Sequence, residues 1–108
     1  MESKQTTCSD NDCVAALTAT LFPLGQWVAT PGALSLLEAS DVEVAWLFLR
    51  HGRGDWGSLG ADDIEANRQA LLNGHRLLSA YLVAPNRKVW LITEADRSVT
   101  TLLLPEEY

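Results

Sequence analysis

The sequence predicts a small α+β domain, with helices packed on one face of an antiparallel sheet of three or four strands that ends in a C-terminal meander. Three observations predict it. Three runs of strand composition crowd the C-terminal third, with turn residues between them. Capped apolar segments of helical length occupy the middle. The chain has 108 residues and is 47% hydrophobic, which suits one domain with a single core.

In chain order, residues 1–12 are polar and turn-rich and read as a flexible tail, leaving residues 13–108 as the domain. The segment from Cys13 has the composition of a short helix that Pro23 and Gly25 end. Residues 26–29 read as a strand that could add an edge to the meander. Thr30-Pro31 is a helix start, because the threonine hydroxyl accepts from a free N–H of the first turn and proline there loses no bond. That helix presents Leu34 and Leu37 inward. Ser40-x-x-Glu43 has the form of a capping box for a helix over residues 42–51. Its apolar residues run almost all round, so it reads as buried on several sides, and a charge at Trp46 is expected to unfold the domain. Three glycines within residues 52–57 break it. A further helix over residues 61–73 begins with Asp62 and Asp63, ends at Gly74, and presents Ile64, Leu71 and Leu72 inward. The strands follow at residues 76–83, 89–93 and 98–104, separated by Ala84-Pro85-Asn86 and by residues 94–97.

The charge is −6, eight Lys and Arg against fourteen Asp and Glu, with no cluster of cations to neutralise phosphates. No duplex DNA binding is therefore expected. No apolar run has the length of a membrane helix and the N-terminus lacks a signal-peptide pattern, so no membrane and a cytoplasmic location are expected. Cys8 and Cys13 are the only cysteines, and His51 and His75 stand far from them, so neither a metal nor a cofactor is expected.

Two stretches hold more polar chemistry than a scaffold requires. In the first, Arg50 and His51 precede Asp55 and Trp56. His51 could serve as acid or base oriented by Asp55, or the four could cap the helix and hold the glycine turn. The second holds Glu94, Asp96, Arg97 and Thr100. Arg97 beside hydroxyls could bind an anion, or these groups could hold a hairpin. A site joining the two stretches would pair Asp55 with Arg97, and replacing Arg97 would leave the melting temperature within a few degrees. Asn67, His75, Arg76, Ser79 and Tyr81 form a weaker third group.

Several motifs carry a resemblance. Thr30-Pro31-Gly32-Ala33, Arg50-His51 with Gly54-Asp55-Trp56-Gly57, Asn67 with Ala70-Leu71, Gly74, residues 76–81, and residues 89–101 through 104–108 resemble a family of small bacterial proteins. Its members carry the label "plasmid-related" or "type I restriction endonuclease subunit M". The resemblance covers roughly residues 21–108 and implies the setting of plasmids, integrative elements and phages. A methyltransferase subunit needs a glycine-rich cofactor loop and an Asn/Asp-Pro-Pro-aromatic motif, and the sequence has neither. No catalytic role transfers. The function expected is a small acidic accessory protein of a mobile element, acting on a protein partner such as a host defence or plasmid-maintenance complex. The alternatives are a small hydrolase and an anionic-ligand binder. The first of these draws on a fold-level likeness to barnase-like ribonucleases, with His51, Arg76, Tyr81, Arg97 and Thr100. The second would use a cleft between Asp55-Trp56 and the turn at residues 94–97.

Overall fold

The computed structural model describes residues 20–108; the expectations for the tail, for Cys8 and Cys13 and for the helix from Cys13 fall outside them. The elements are β1 (Gln26–Ala29), α1 (Pro31–Ala39), α2 (Val44–Gly52), α3 (Ala61–Asn73), β2 (Leu77–Ala84), β3 (Arg87–Thr93), β4 (Val99–Leu103) and a 3-10 turn (Pro105–Glu107). The strands form one sheet in the order β1-β4-β3-β2. The β2–β3–β4 meander is antiparallel, as expected, whereas β1 joins β4 in parallel and makes the sheet mixed.

The parallel pairing has a local cause. Thr30, at the end of β1, donates its N–H to Leu102 O (2.9 Å) and its hydroxyl to Glu107 Oε1 (2.7 Å) just past β4, so the two strands finish together. At the other end, Gly25 adopts φ 66°, and a Cβ there would stand 2.3 Å from Ser98 O. Only glycine lets β1 approach β4 that closely.

Alternation along the strands separates the two faces of the sheet. Leu77, Ser79 and Tyr81 of β2, Val89, Leu91 and Thr93 of β3, and Thr100 and Leu102 of β4 share one face, and all are buried. Against that face pack Ala33 and Leu37 of α1, Leu47 and Phe48 of α2 and Ala70 of α3. The helices therefore lie on one side. The opposite face carries half-buried Leu78, Trp90, Val99 and Thr101, with Tyr108 edge-on to Trp90 at 5.8 Å.

Helix starts and stops follow the expected chemistry in two places. Thr30 accepts from Ala33 N (3.1 Å) and Pro31 opens α1. Gly74, at φ 72°, closes α3. The capping box at Ser40 and Glu43 does not form. Asp41 takes φ 57°, Asp41 N donates to Glu38 O and Val42 N to Leu37 O, which is the Schellman closure of α1. Helix α2 then starts at Val44 with no side-chain cap. Because Asp41 occupies a left-handed angle that glycine adopts freely, Asp41→Gly should stabilise the domain by about 0.5–1 kcal/mol. A calorimetric melt that moves upward by a few degrees checks it.

The expected inner faces also need correction. On α2 the residues at i, i+3, i+4 and i+7 are Val44, Leu47, Phe48 and His51, and that stripe faces the core. Trp46 lies off it and is 55% exposed, so a charge placed there would meet water. Helix α1 buries Ala33 with Leu37 and turns Leu34 outward, while α3 buries Asn67 and Ala70 and exposes Ile64 and Leu72.

Candidate functional site

From the two polar stretches, Trp56 and Thr100 gather about the buried ring of His51, while Asp55, Glu94 and Asp96 make their contacts elsewhere. His51, at the end of α2, is 0% exposed. Its Nδ1 lies 2.5 Å from Ser79 Oγ and its Nε2 2.8 Å from Thr93 Oγ1. Thr93 Oγ1 is 2.7 Å from Thr100 Oγ1, which donates to Leu24 O at 2.6 Å. A carbonyl oxygen only accepts, so the far end of this chain fixes the direction of every proton in it. Thr100 donates to Leu24, Thr93 donates to Thr100, and His51 Nε2–H donates to Thr93. In a neutral ring Nδ1 is then bare and accepts from the Ser79 hydroxyl. Burial, with the Arg97 charge nearby, lowers the His51 pKa to about 3 and holds the ring neutral. Phe22 meets the ring edge-on at 5.3 Å and Trp56 at 5.6 Å, which closes it off from solvent.

Arg50 and Asp55 form a two-pronged pair, Nε–Oδ2 at 2.7 Å and Nη2–Oδ1 at 3.2 Å. The Arg50 guanidinium holds the Asp55 carboxyl below the usual carboxylate range. Arg50 also lies 4.5 Å above the Tyr81 ring, whose hydroxyl donates to Asp55 O (2.6 Å). Burial pushes the Tyr81 phenol up. Asp55 accepts from Gly57 N as well, so it holds the glycine turn.

The expected Asp55–Arg97 pair is absent because both groups are engaged elsewhere. Arg97 donates to His75 O (2.6 Å), Ala70 O (3.1 Å), Glu94 O (3.2 Å) and Ala95 O (3.3 Å). It is a collector of carbonyls at the end of α3, and its guanidinium is not presented to an anion. Glu94 faces Arg76 at 3.7 Å, and Asp96 accepts from Ser98 N as a turn residue. The two stretches are joined instead by the His51–Thr93–Thr100 chain and by Phe22. That ring stacks on Trp56 at 6.2 Å, lies 5.7 Å under Arg97, and occupies the place of the expected cleft. His51, Tyr81 and Thr100 are all buried, so the ribonuclease-like set does not share an open surface. Among the described residues, no three His, Cys, Asp or Glu side chains gather as a metal site requires.

What the structure does present to solvent is a groove between α2 and the end of β2. It has a volume of about 380 Å³. Val42, Leu47 and Val83 line it, Trp46 and Leu82 flank it, and Asp41 and Glu43 stand at its rim beside Arg50. Leu82 is 61% exposed and also borders a second depression, of about 500 Å³, that carries Arg87 and Lys88. Sequence reasoning missed Trp46 and Leu82 as surface residues. The helical stripe Val44, Leu47, Phe48, His51 was the signal that would have placed Trp46 outside.

Comparison with family models, with curated proteins and with solved structures gives no match to this chain. Among the described residues no helix is long and apolar enough to cross a membrane.

Proposed function

We propose that the chain is a protein-binding module whose partner docks in the groove between α2 and β2, and that it serves as an accessory protein of a mobile genetic element. The observation that carries the reading is the exposure of Trp46 and Leu82 on the two sides of one groove. An exposed tryptophan over an apolar floor is the residue type on which the anchoring centre of a protein interface is most often built, and Leu82 adds apolar surface beside it. Asp41 and Glu43 form no ion pair among the described residues, and Arg50 beside them is taken by Asp55, so the rim favours a basic segment and repels phosphate. The mobile-element setting rests on the family resemblance, and a host defence or plasmid-maintenance complex is the partner it implies. The buried His51 chain and the carbonyl-bound Arg97 act as scaffold in this reading.

Photoreactive benzoylphenylalanine, introduced separately at Trp46, Leu82 and Leu72, tests it in bacteria that carry the element. Leu72 is 70% exposed on α3, outside the groove, and serves as the control. One partner should crosslink from positions 46 and 82 and not from 72. Equal labelling from all three positions, or none from the groove, would rule the reading out.

A further inference from the structure

The fold finishes the two edges of its sheet differently. At the β2 edge, Asn67 of α3 uses its side-chain amide as a strand would. Nδ2 donates to Leu78 O (2.6 Å) and Oδ1 accepts from Leu78 N (3.1 Å). The next outward pair is also occupied, since Ala80 N donates to Trp56 O (3.1 Å) and Ala80 O accepts from Ser58 N (2.7 Å). A register shift follows between Leu82 and Ala84. Plugs and bulges of this kind stop another strand from adding to an edge.

Among the described residues, the β1 edge has no such device. Gln26 N bonds Ser98 O and Thr30 N bonds Leu102 O, so the even-numbered residues turn their backbone groups to β4. Trp27 and Ala29 therefore point their N–H and C=O away from the sheet, and neither has a partner there among the described residues. The strand Gln-Trp-Val-Ala holds no charge, no proline and no bulge. Trp27 is anchored from behind by stacking on Phe48, 4.4 Å apart and 8° from parallel, which keeps the strand in place.

We propose that β1 pairs with β1 of a second copy of this chain, antiparallel about a two-fold axis through Val28, joining the two sheets into one of eight strands. The register follows from which groups are free. Outward N–H and C=O occur at two residues spaced i and i+2, and an axis through the residue between them sets Trp27 opposite Ala29 of the second copy, and the reverse. All four N–H and four C=O groups then close four hydrogen bonds, with none left over. A shifted register leaves some of them unmatched. The side chains agree with this arrangement. On the face that carries Phe48, the large Trp27 lies against the small Ala29. On the other face Val28, 40% exposed, meets its own copy in the closer, non-hydrogen-bonded kind of pair, where β-branched residues pack well. The chain as a whole carries −6, yet the strand itself brings no like charges together. This surface is independent of the groove, which lies by the opposite edge strand.

Sedimentation equilibrium of the full chain between about 1 and 500 µM, a range that spans the affinities of weak homodimers, tests the pairing. Wild type should form a dimer. Val28→Lys and Val28→Glu should each weaken it by about tenfold or more, because like charges would meet on the axis. Mixing the two variants should restore a heterodimer. Ala29→Pro removes an outward N–H and none that faces β4, so it should also be monomeric while its thermal melt stays cooperative. The pairing is overturned if wild type is monomeric throughout, if the dimer survives all three substitutions, or if the mixed charge variants associate no better than either alone.

Discussion

Arg97→Ala should lower the melting temperature by on the order of 10–20 °C, a far larger effect than the few degrees expected from a hairpin arginine at the surface. The guanidinium donates to four backbone carbonyls, two of them belonging to Ala70 and His75 at the end of α3 and two to the β3–β4 turn. One charged group therefore ties a helix end to a hairpin and complements the negative end of the helix. A hydrogen bond from a charged donor contributes roughly 1.5–3 kcal/mol. These four share one half-buried side chain, so their joint loss is about 2–4 kcal/mol. Arg97 also sits at φ 62°, which a residue with a side chain adopts at a cost of about 1 kcal/mol. Arg97→Gly should for that reason be less damaging than Arg97→Ala by about that amount. Thermal melts of the two variants beside wild type decide it. An alanine variant within 3 °C or so of wild type would show that the carbonyl contacts contribute little.

Arg97 also shows where reading the chain in one dimension stops. Its own neighbours, Glu94, Asp96 and Ser98, suggest an open anion site, while its two shortest contacts come from residues 22 and 27 positions earlier. The meander was legible because its signals are local. Pro85 and Asn86 make a turn with Asn86 at φ 58°, and β-branched and aromatic residues fill β3. Thr30 and Gly74 were legible for the same reason. Ser40 and Glu43 misled because one short polar string can close the helix before it or open the one after it, and Asp41 chose the first. Trp46 misled because an unbroken apolar run hides its period. Even so, the stripe from Val44 to His51 was present in the sequence. The hydroxyl chain through His51 links residues 28 and 42 positions apart, and no spacing rule pairs a histidine with such distant threonines and serines.

That chain sets the second large effect, a loss of stability in mild acid centred on one buried ring. His51 is neutral in the fold with its pKa lowered to about 3 by burial and by the Arg97 charge, and in the unfolded chain it returns to about 6.5. Below pH 6.5 the unfolded state binds a proton that the folded state refuses, so acid favours unfolding. The contribution is fully present above pH 6.5. It falls by about 1.4 kcal/mol for each unit down towards pH 3, roughly 4–5 kcal/mol over the whole window. Asp55 and Asp96 do not account for the upper part of that window. Asp55 and Asp96 are held below their usual range, Asp55 chiefly by the Arg50 guanidinium and Asp96 by Ser98, so they titrate at more acidic pH. Urea unfolding of wild type between pH 7 and pH 4.5 should show the slope, with no matching change in denaturant sensitivity. His51→Gln removes the titrating group and leaves an amide that can both donate and accept. It should be less stable than wild type at pH 7, because the ring no longer fills the space between Phe22 and Trp56, but flat over the same interval. Nitrogen-15 spectra of the ring supply a check independent of stability. The carbonyl of Leu24 dictates a proton on Nε2 and none on Nδ1, and that signature should persist in the folded protein down to about pH 4.5. A folded protein whose ring protonates near pH 6.5, or a glutamine variant with the wild-type slope, would show that the acid sensitivity arises elsewhere.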